Sequence, residues 1–356
     1  MACSSPVMSS RDLWRALSGV LCVYKHSGIS TAAIKKLITN SITESVTQIE
    51  STSRIHLPAI SLPIVEPHEQ TGALVVVGKS EIADYRYHPL VCGASIRSED
   101  IRIEDTVPLD IISSGVCLFG LNDGCDMLPE ILAMSWPNVY RIDGILGRSF
   151  GKKKKDDQSG VTDALRVSRN RIEKVLMRME SEFRALSFKN ANVDMESDEA
   201  FELARKGLPR SQLPGAQNVY SIELNWFKTP RFTITVQTCG ENDEMLKNLV
   251  NHIGVNVGTG ALAIRVQRQF FGPFSGSDAL LEKQLNLQNI IRNISLNSAI
   301  LEASKAENGK IVNVKDVNTM EAEKRVEEVF DGLGLKESIS LDNFDAMRPA
   351  WPRYYE

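Results

Sequence analysis

Residues 73–80 read ALVVVGKS, and as a string they fit the pattern of a phosphate-binding loop. Such a loop wraps its backbone N–H groups around an anion, and glycines permit the required dihedral angles. Here the variable positions are Leu74 and Val75–Val77. Valines are stiff, prefer extended backbone and cannot form that cradle. The sequence therefore predicts a buried strand over 73–77 that ends in a turn at Gly78, and no nucleotide site.

Other strings that could support catalysis or metal binding lack their structural context. The stretch GRSFG at 147–151 matches G-x-S-x-G but precedes a lysine run, whereas a nucleophile elbow follows an apolar strand. The five histidines have no metal-ligand spacing, and GLNDGCD at 120–126 lacks the ligand order of a calcium loop. We predict no catalytic residue, no metal and no cofactor.

Composition places the chain among ordinary folded proteins. The 356 residues carry a net charge of −4, with 42% hydrophobic and 24% charged residues. No apolar run approaches membrane-spanning length, and the N-terminus lacks the pattern of a signal peptide. The six cysteines include no C-x-x-C pair, which favours reduced thiols. We expect an intracellular, cytoplasmic protein.

The strongest chemical signal is a basic block in this acidic chain. From Arg148 to Lys189 there are twelve Lys or Arg against six Asp or Glu. Such a field attracts polyanions, and arginine suits phosphate geometrically. The alternatives are a solvated helix face and a nuclear-import signal in the lysine run, which would permit nuclear entry. The predicted nucleic-acid contacts are Lys152, Lys153, Lys154, Lys155, Arg166, Arg169, Arg171, Lys174 and Arg178.

Two apolar stripes repeat every seven residues in segments predicted to be helical. Such a stripe is typical of a helix packed within a protein, and it is also typical of a seam between copies. Intramolecular packing and self-association therefore both remain open, and we expect a homo-oligomer. The stripe residues are Leu165, Ile172, Met179 and Leu186, followed by Leu280, Leu287, Ile294 and Leu301.

The pattern of elements predicts an α+β fold. Short apolar runs between prolines and turns indicate a β-rich, mostly antiparallel core, encoded in 54–150 and 191–277. An N-terminal helical pair is expected in 1–53, its first helix running from Asp12 towards Gly28. Long amphipathic helices at 161–188 and 278–305 should pack around the core. The basic loop and first long helix form the block 151–190, and C-terminal helices with an acidic tail form 278–356.

Three segments resemble part of the cell-to-cell movement proteins of plant viruses, the thirty-kilodalton superfamily. They are RFTITV at 231–236, MLKNLV at 245–250 and GTGALAI at 258–264. In that family a strand opening on Arg-Phe leads to a helix, a glycine-containing loop and another strand. The string nearest to the family's Leu-x-Asp signature is Pro108-Leu109-Asp110. The resemblance implies single-stranded nucleic-acid binding without sequence preference, self-association, contact with a membrane surface and no catalytic residues.

These observations together predict a non-enzymatic, self-associating protein that binds nucleic acid, single-stranded RNA above all. The basic loop and helix would contact phosphates. The class of protein that we predict is a viral movement, matrix or nucleocapsid-type protein. One alternative is an enzyme whose site is assembled from residues distant in sequence. The other is a host scaffold protein that binds partners through its long helices.

Overall fold

The structure is a computed structural model that describes residues 10–52, 59–68, 72–88, 91, 96–148, 164–206, 209 and 216–306. Two compact units are present, one built from the described parts of 1–36 and 102–356 and the other from 37–101. In the described part of the chain, no helix combines the length and apolarity needed to cross a membrane. Residues 1–9, the lysine run and the predicted acidic tail after residue 306 lie outside the described residues.

The first unit is built on an eight-stranded sheet. The strands are β1 (Gly19–Lys25), β4 (Ile103–Asp105), β5 (Ser114–Leu121), β6 (Asn138–Leu146), β7 (Asn218–Lys228), β8 (Arg231–Cys239), β9 (Ala261–Phe271) and β10 (Phe274–Ser275). Six of them follow the order β1-β5-β9-β6-β8-β7, while β4 pairs with β5 and β10 with β9, and all of these pairs are antiparallel except the short β5–β9 pair. The second unit contains the ribbon β2 (Ala59–Pro67) and β3 (Leu74–Ala83).

Three helices pack against this sheet, and the predicted α+β class with a mostly antiparallel core is confirmed. The fourth helix packs on β7, the sixth on β9 and the seventh on β1. The helices are α1 (Ser10–Ala16), α2 (Thr31–Thr52), α3 (Leu128–Ala133), α4 (Arg169–Asn190), α5 (Asp198–Lys206), α6 (Asp243–Val257) and α7 (Leu287–Ala306).

The prediction for the first helix is wrong in its extent, because α1 ends at Ala16 and residues 19–25 form β1. This strand lies against β5 and is almost fully buried. A strand buried on both faces has no polar alternation, so its apolar run is easily mistaken for a helix segment. The two long helices are also shorter than predicted. Helix α4 begins after Ser168, and residues before α7 pair with β1 through Leu280.

Strand β1 is kept in place by the polar face of α7. The Asn293 Oδ1 atom accepts a hydrogen bond from the Cys22 backbone N–H at 2.8 Å. The Asn297 amide donates to the Val20 carbonyl at 3.0 Å. Both asparagines are buried. Side-chain amides thus satisfy backbone groups at the edge of the sheet, which would otherwise be open to pairing.

The string that fits a phosphate loop forms β3, so the predicted extended conformation is confirmed. Its predicted burial is wrong, because the side chains of Leu74, Val76 and Val77 are 59–76% exposed. The predicted end at Gly78 is also wrong, since β3 continues to Ala83. Gly78 pairs with Ile64, directly beside a register shift in the ribbon. A glycine within a strand often marks such an irregularity rather than a turn.

Candidate active site

A half-exposed carboxylate stands in the loop between β4 and β5. The Asp110 Oδ2 atom accepts a hydrogen bond from Lys247 Nζ at 2.6 Å, and Oδ1 accepts one from the Ile111 backbone N–H at 3.1 Å. The Asp110 side chain is 46% exposed and that of Lys247 is 34% exposed. The pair is therefore accessible to a ligand in solution, and each Asp110 oxygen has a lone pair left over.

The ion pair keeps Asp110 in its charged form. The hydrogen bond from Lys247 and its positive charge hold the pKa of Asp110 below the ordinary value, and the more distant charge of Lys25 acts in the same direction. A carboxylate in this state is a nucleophile or a stabiliser of positive charge at neutral pH. It is a poor general base, because its pKa lies far from the working pH.

Lys247 reaches the carboxylate because α6 is fixed at its start and along one face. The Asn242 side chain caps the helix by accepting from the Met245 N–H at 2.8 Å. Leu246, Leu249 and Val250 bury the apolar face. Lys247 lies beside that face and points across to the loop after β4, which places its ammonium on Asp110.

A buried ammonium holds the backbone around Asp110. Lys25, the last residue of β1, has no exposed surface, and its Nζ atom donates to the carbonyls of Asp110, Ile111 and Ser113 at 2.8, 3.2 and 2.5 Å. Burial lowers the pKa of Lys25, and these contacts with carbonyl oxygens compensate for lost water. The loop therefore owes its shape to a residue 85 positions earlier in the chain.

A second buried cation holds both ends of the same loop. Arg268 of β9 is fully buried, and its guanidinium donates to the carbonyls of Val107 and Val116 at 3.1 and 2.6 Å. Gly115 lies against the Arg268 backbone with a φ of +132°, and a Cβ at this position would collide with that backbone. The close approach of β5 to β9 therefore requires glycine here.

The charge of Arg268 is shared with a buried polar cluster next to it. Tyr140 donates to Glu241 Oε1 at 2.6 Å and accepts from Arg268 at 3.4 Å, while the Asn138 amide donates to the same Glu241 oxygen at 2.8 Å. Burial, with the nearby Glu241, raises the pKa of Tyr140 well above its ordinary value. Glu241 thus reaches the guanidinium through Tyr140, and its negative charge offsets part of the cost of burying Arg268.

The arrangement presents one reactive group on a rigid support. Asp110 is accessible and ionised. The backbone of the loop that carries it is held by hydrogen bonds from the buried Lys25 and Arg268. A rigid carboxylate beside a lysine can attack an electron-poor carbon of a bound substrate and form a covalent ester. The same lysine can bind an anionic group on that substrate.

Five of the predicted nucleic-acid residues lie on α4 or in the turn before it, and Arg171, Lys174 and Arg178 share one exposed face of the helix, whereas Lys152–Lys155 lie outside the described residues. Arg169 and Arg178 pair with Glu173 and Glu182 on the same helix, at 2.7 and 3.2 Å. Arg171 and Lys174 form no ion pair with any residue that the structure describes. They border an open groove of about 430 Å³. Its lining residues are Ser168, Asn170, Arg171, Lys174, Val175 and Arg178.

Most of the two seven-residue stripes is buried inside the chain. Six of their side chains are at most 4% exposed. These are Ile172, Met179, Leu280, Leu287, Ile294 and Leu301. Leu165 and Leu186 are 59% and 42% exposed. The alternative of intramolecular packing accounts for the buried six, and self-association stays a prediction.

The sequence-based reasoning missed Asp110, Lys247, Lys25 and Arg268. Asp110 was noted only as part of the string nearest to another family's signature. A usable signal was present, because an aspartate lies just before the apolar run SGVCLFGL that forms β5. The two buried cations gave no signal of their own, since Lys25 ends an apolar strand and Arg268 is one of two arginines in the partly polar strand β9.

Comparisons with known proteins point to one family of enzymes. The family model described as TruB family pseudouridylate synthase (N terminal domain) matches residues 104–242. The human protein named pseudouridylate synthase TRUB2, mitochondrial, is 25% identical over 284 residues, which are 80% of this chain and 84% of that protein. The tRNA pseudouridine synthase B of Clostridium acetobutylicum is 22% identical over 197 residues, covering 55% of this chain and 67% of that protein.

A solved structure, the archaeal box H/ACA sRNP Nop10–Cbf5 complex, shows a more distant likeness. The identity is 14% and the TM-score 0.41, over 79% of this chain and 56% of that one. The present chain therefore spans a little over half the length of that structure.

These matches correct two predictions. The resemblance to plant-virus movement proteins is wrong, because the chain matches pseudouridylate synthases over most of its length. The interpretation as a non-enzymatic viral protein is wrong for the same reason, and the alternative of an enzyme with a site assembled from distant residues fits better. The cytoplasmic location stays a prediction, and the human, rat and Xenopus tropicalis relatives are named as mitochondrial proteins.

Proposed function

We propose that the chain converts uridine in RNA to pseudouridine, with Asp110 as the nucleophile. The observation that carries this proposal is the accessible, ionised Asp110 paired with Lys247. Asp110 lies inside the segment that matches the synthase family, in the loop that Lys25 and Arg268 hold. A reactive group on a supported backbone is what a chemical step requires.

The reaction balances with the groups that the chain provides. The glycosidic bond from N1 to C1′ breaks, a bond from C5 to C1′ forms, the C5 proton leaves and N1 gains a proton. Nothing is oxidised or reduced, so the isomerisation requires no co-reactant. A carboxylate that attacks the nucleotide keeps the two fragments in the site while the base turns, and it is released unchanged.

Lys247 would keep Asp110 ionised, so replacing it should move the pH profile. The pKa of Asp110 is lowered in the fold, and Lys247→Met should raise it towards the ordinary value of about 3.9. The acidic limb of kcat/KM should then shift to higher pH, whereas Lys247→Arg should leave it close to its original position. An acidic limb that stays in place in the methionine variant would remove Lys247 from this role.

The basic face of α4 is the proposed contact for the RNA backbone. Helix α4 packs on α6, where Arg178 donates to Asn256 at 3.3 Å. Asn256 lies nine positions after Lys247 in α6, which corresponds to about 14 Å along the helix axis. A single RNA can span that distance, so the groove at Arg171 and Lys174 and the carboxylate at Asp110 would engage the same substrate. Arg166 and Arg169 are further proposed contacts, and Lys152–Lys155, which lie outside the described residues, stay contacts predicted from the sequence.

Neutralising the exposed cations should weaken RNA binding in a salt-dependent way. For Arg171→Ala with Lys174→Ala, we expect the slope of log K against log salt to fall by about 0.7 for each lost phosphate contact. The matched control is Arg184→Ala with Lys189→Ala, which removes the same charge from the far end of α4. Equal losses in both double variants would show a diffuse field effect and contradict a contact site at the groove.

The activity itself is tested by tritium release. RNA transcribed with 5-tritiated uridine loses its label to water when C5 becomes bonded to C1′. We expect release from labelled tRNA transcripts or labelled cellular RNA in the presence of the purified chain. Absence of release from every labelled RNA, with the protein folded, would overturn the proposed function.

A further inference from the structure

Asp243 makes contacts that its position in α6 does not require. It is the first residue of the helix, where an acidic side chain interacts favourably with the helix dipole. Its two oxygens, however, both bond to the loop of Asp110. Oδ2 accepts from the Asp110 backbone N–H, and Oδ1 accepts from the Ser113 hydroxyl at 2.9 Å.

These contacts complete a two-point attachment between α6 and the loop. Asp243 fixes the backbone of Asp110, and Lys247, one helical turn later, bonds its carboxylate. Both side chains belong to one helix and lie four residues apart on the same side of it, so α6 contacts the loop at its backbone and at its carboxylate together. Ser113 is buried and its carbonyl also accepts from Lys25, which leaves the loop little freedom.

We propose that Asp243 is a positioning residue, which holds the Asp110 loop against α6 so that Lys247 stays bonded to the reacting carboxylate. The expected kinetic effect of Asp243 rests on the proposed function. The position of the Asp110 carboxylate can be tested whether or not the chain acts on RNA. Among the described residues, the charged groups that contact Asp110 are Lys247 and Asp243 of α6 and Lys25 of β1, and each one enters the expected pH behaviour.

Two substitutions separate positioning from charge. In Asp243→Asn, the amide oxygen can accept from the Asp110 N–H, while its NH₂ group donates to the Ser113 hydroxyl oxygen. This variant keeps the attachment and loses the negative charge. Asp243→Ala loses both. Glu244→Ala is the matched control, because it removes an exposed acidic residue from the same helical turn.

The first readout is the pKa of Asp110. It is measured by NMR of the carboxyl carbon in protein labelled with ¹³C at aspartate, and the Asp110 signal is assigned by its loss in Asp110→Asn. Loss of the Asp243 charge alone should lower this pKa, so we expect a lower value in Asp243→Asn. In Asp243→Ala the carboxylate should leave Lys247, and the pKa should rise. Shifts in the same direction in the two variants would overturn the proposal, whether or not the chain acts on RNA.

The second readout is kinetic. Displacing a reacting group by about 1 Å can cost about 100-fold in rate, so we expect a loss of that order in kcat for Asp243→Ala with KM nearly unchanged. Asp243→Asn and Glu244→Ala should stay within a few-fold of the unmodified chain. A kcat that is unchanged in folded Asp243→Ala would also overturn the proposal. If the unmodified chain shows no activity, the proposed function is contradicted. The positioning role of Asp243 is then decided by the NMR result alone.

Discussion

Asp110→Asn should abolish pseudouridine formation, lowering kcat by roughly 10⁴-fold or more, because an amide cannot replace a carboxylate nucleophile. The fold should survive the change. The Asp110 pair is half exposed, and such pairs contribute less than about 1 kcal/mol to stability. Tritium release from 5-tritiated RNA measures the loss, and thermal unfolding confirms the fold.

The same variant distinguishes chemistry from binding. The affinity for RNA should change little. Asp110 is negatively charged and so repels the phosphates, and its replacement by a neutral residue removes no attractive contact with the RNA. The matched control is Asp123→Asn, an exposed aspartate in the turn after β5. It should behave like the unmodified chain. Tritium release at more than a tenth of the original rate in Asp110→Asn would exclude Asp110 as the nucleophile.

Arg268→Met should have the largest effect on stability. The change leaves Glu241 buried without its counter-charge and leaves the carbonyls of Val107 and Val116 without a donor. A buried carbonyl left without its donor costs about 1–3 kcal/mol, and the uncompensated charge of Glu241 adds to this, so we expect a total loss of about 3–5 kcal/mol. Urea unfolding should show this loss, and activity should disappear because the loop of Asp110 loses both of its end supports.

A second substitution should recover part of that stability. Asp and Glu side chains are costly to bury alone, so Arg268→Met combined with Glu241→Gln removes the uncompensated charge. We expect the double variant to be more stable than Arg268→Met alone. A loss of less than about 1 kcal/mol in the single variant would show that the buried guanidinium does not support the loop.

The sequence predicted the class of fold because local patterns carry that information. Alternating strands such as β6, and long helices with an apolar stripe such as α7, are defined by the period of their side chains. Strand β1 was missed because burial on both faces removed the alternation. The exposed β3 was predicted to be buried because its valines indicate extended backbone and say nothing about what covers them.

The site could not be assembled from the sequence, because its members are far apart in the chain. Lys25, Asp110, Asp243 and Arg268 meet only after β1, β5, β9 and α6 are packed. Each residue alone has a common type and an ordinary neighbourhood. The basic α4 was conspicuous because its charges are contiguous, whereas a single carboxylate held by distant cations leaves no local pattern.

The place of β9 in the sheet affects the order of events during synthesis. This strand lies between β5 and β6, yet the ribosome makes it after both of them and after β7 and β8. Until it emerges, the facing edges of β5 and β6 lack the strand that later joins them, and unpaired edges favour wrong association. Arg268 arrives with the same strand. Closure of the sheet and completion of the loop around Asp110 are therefore one event, and a nascent chain that stops short of residue 261 gains neither.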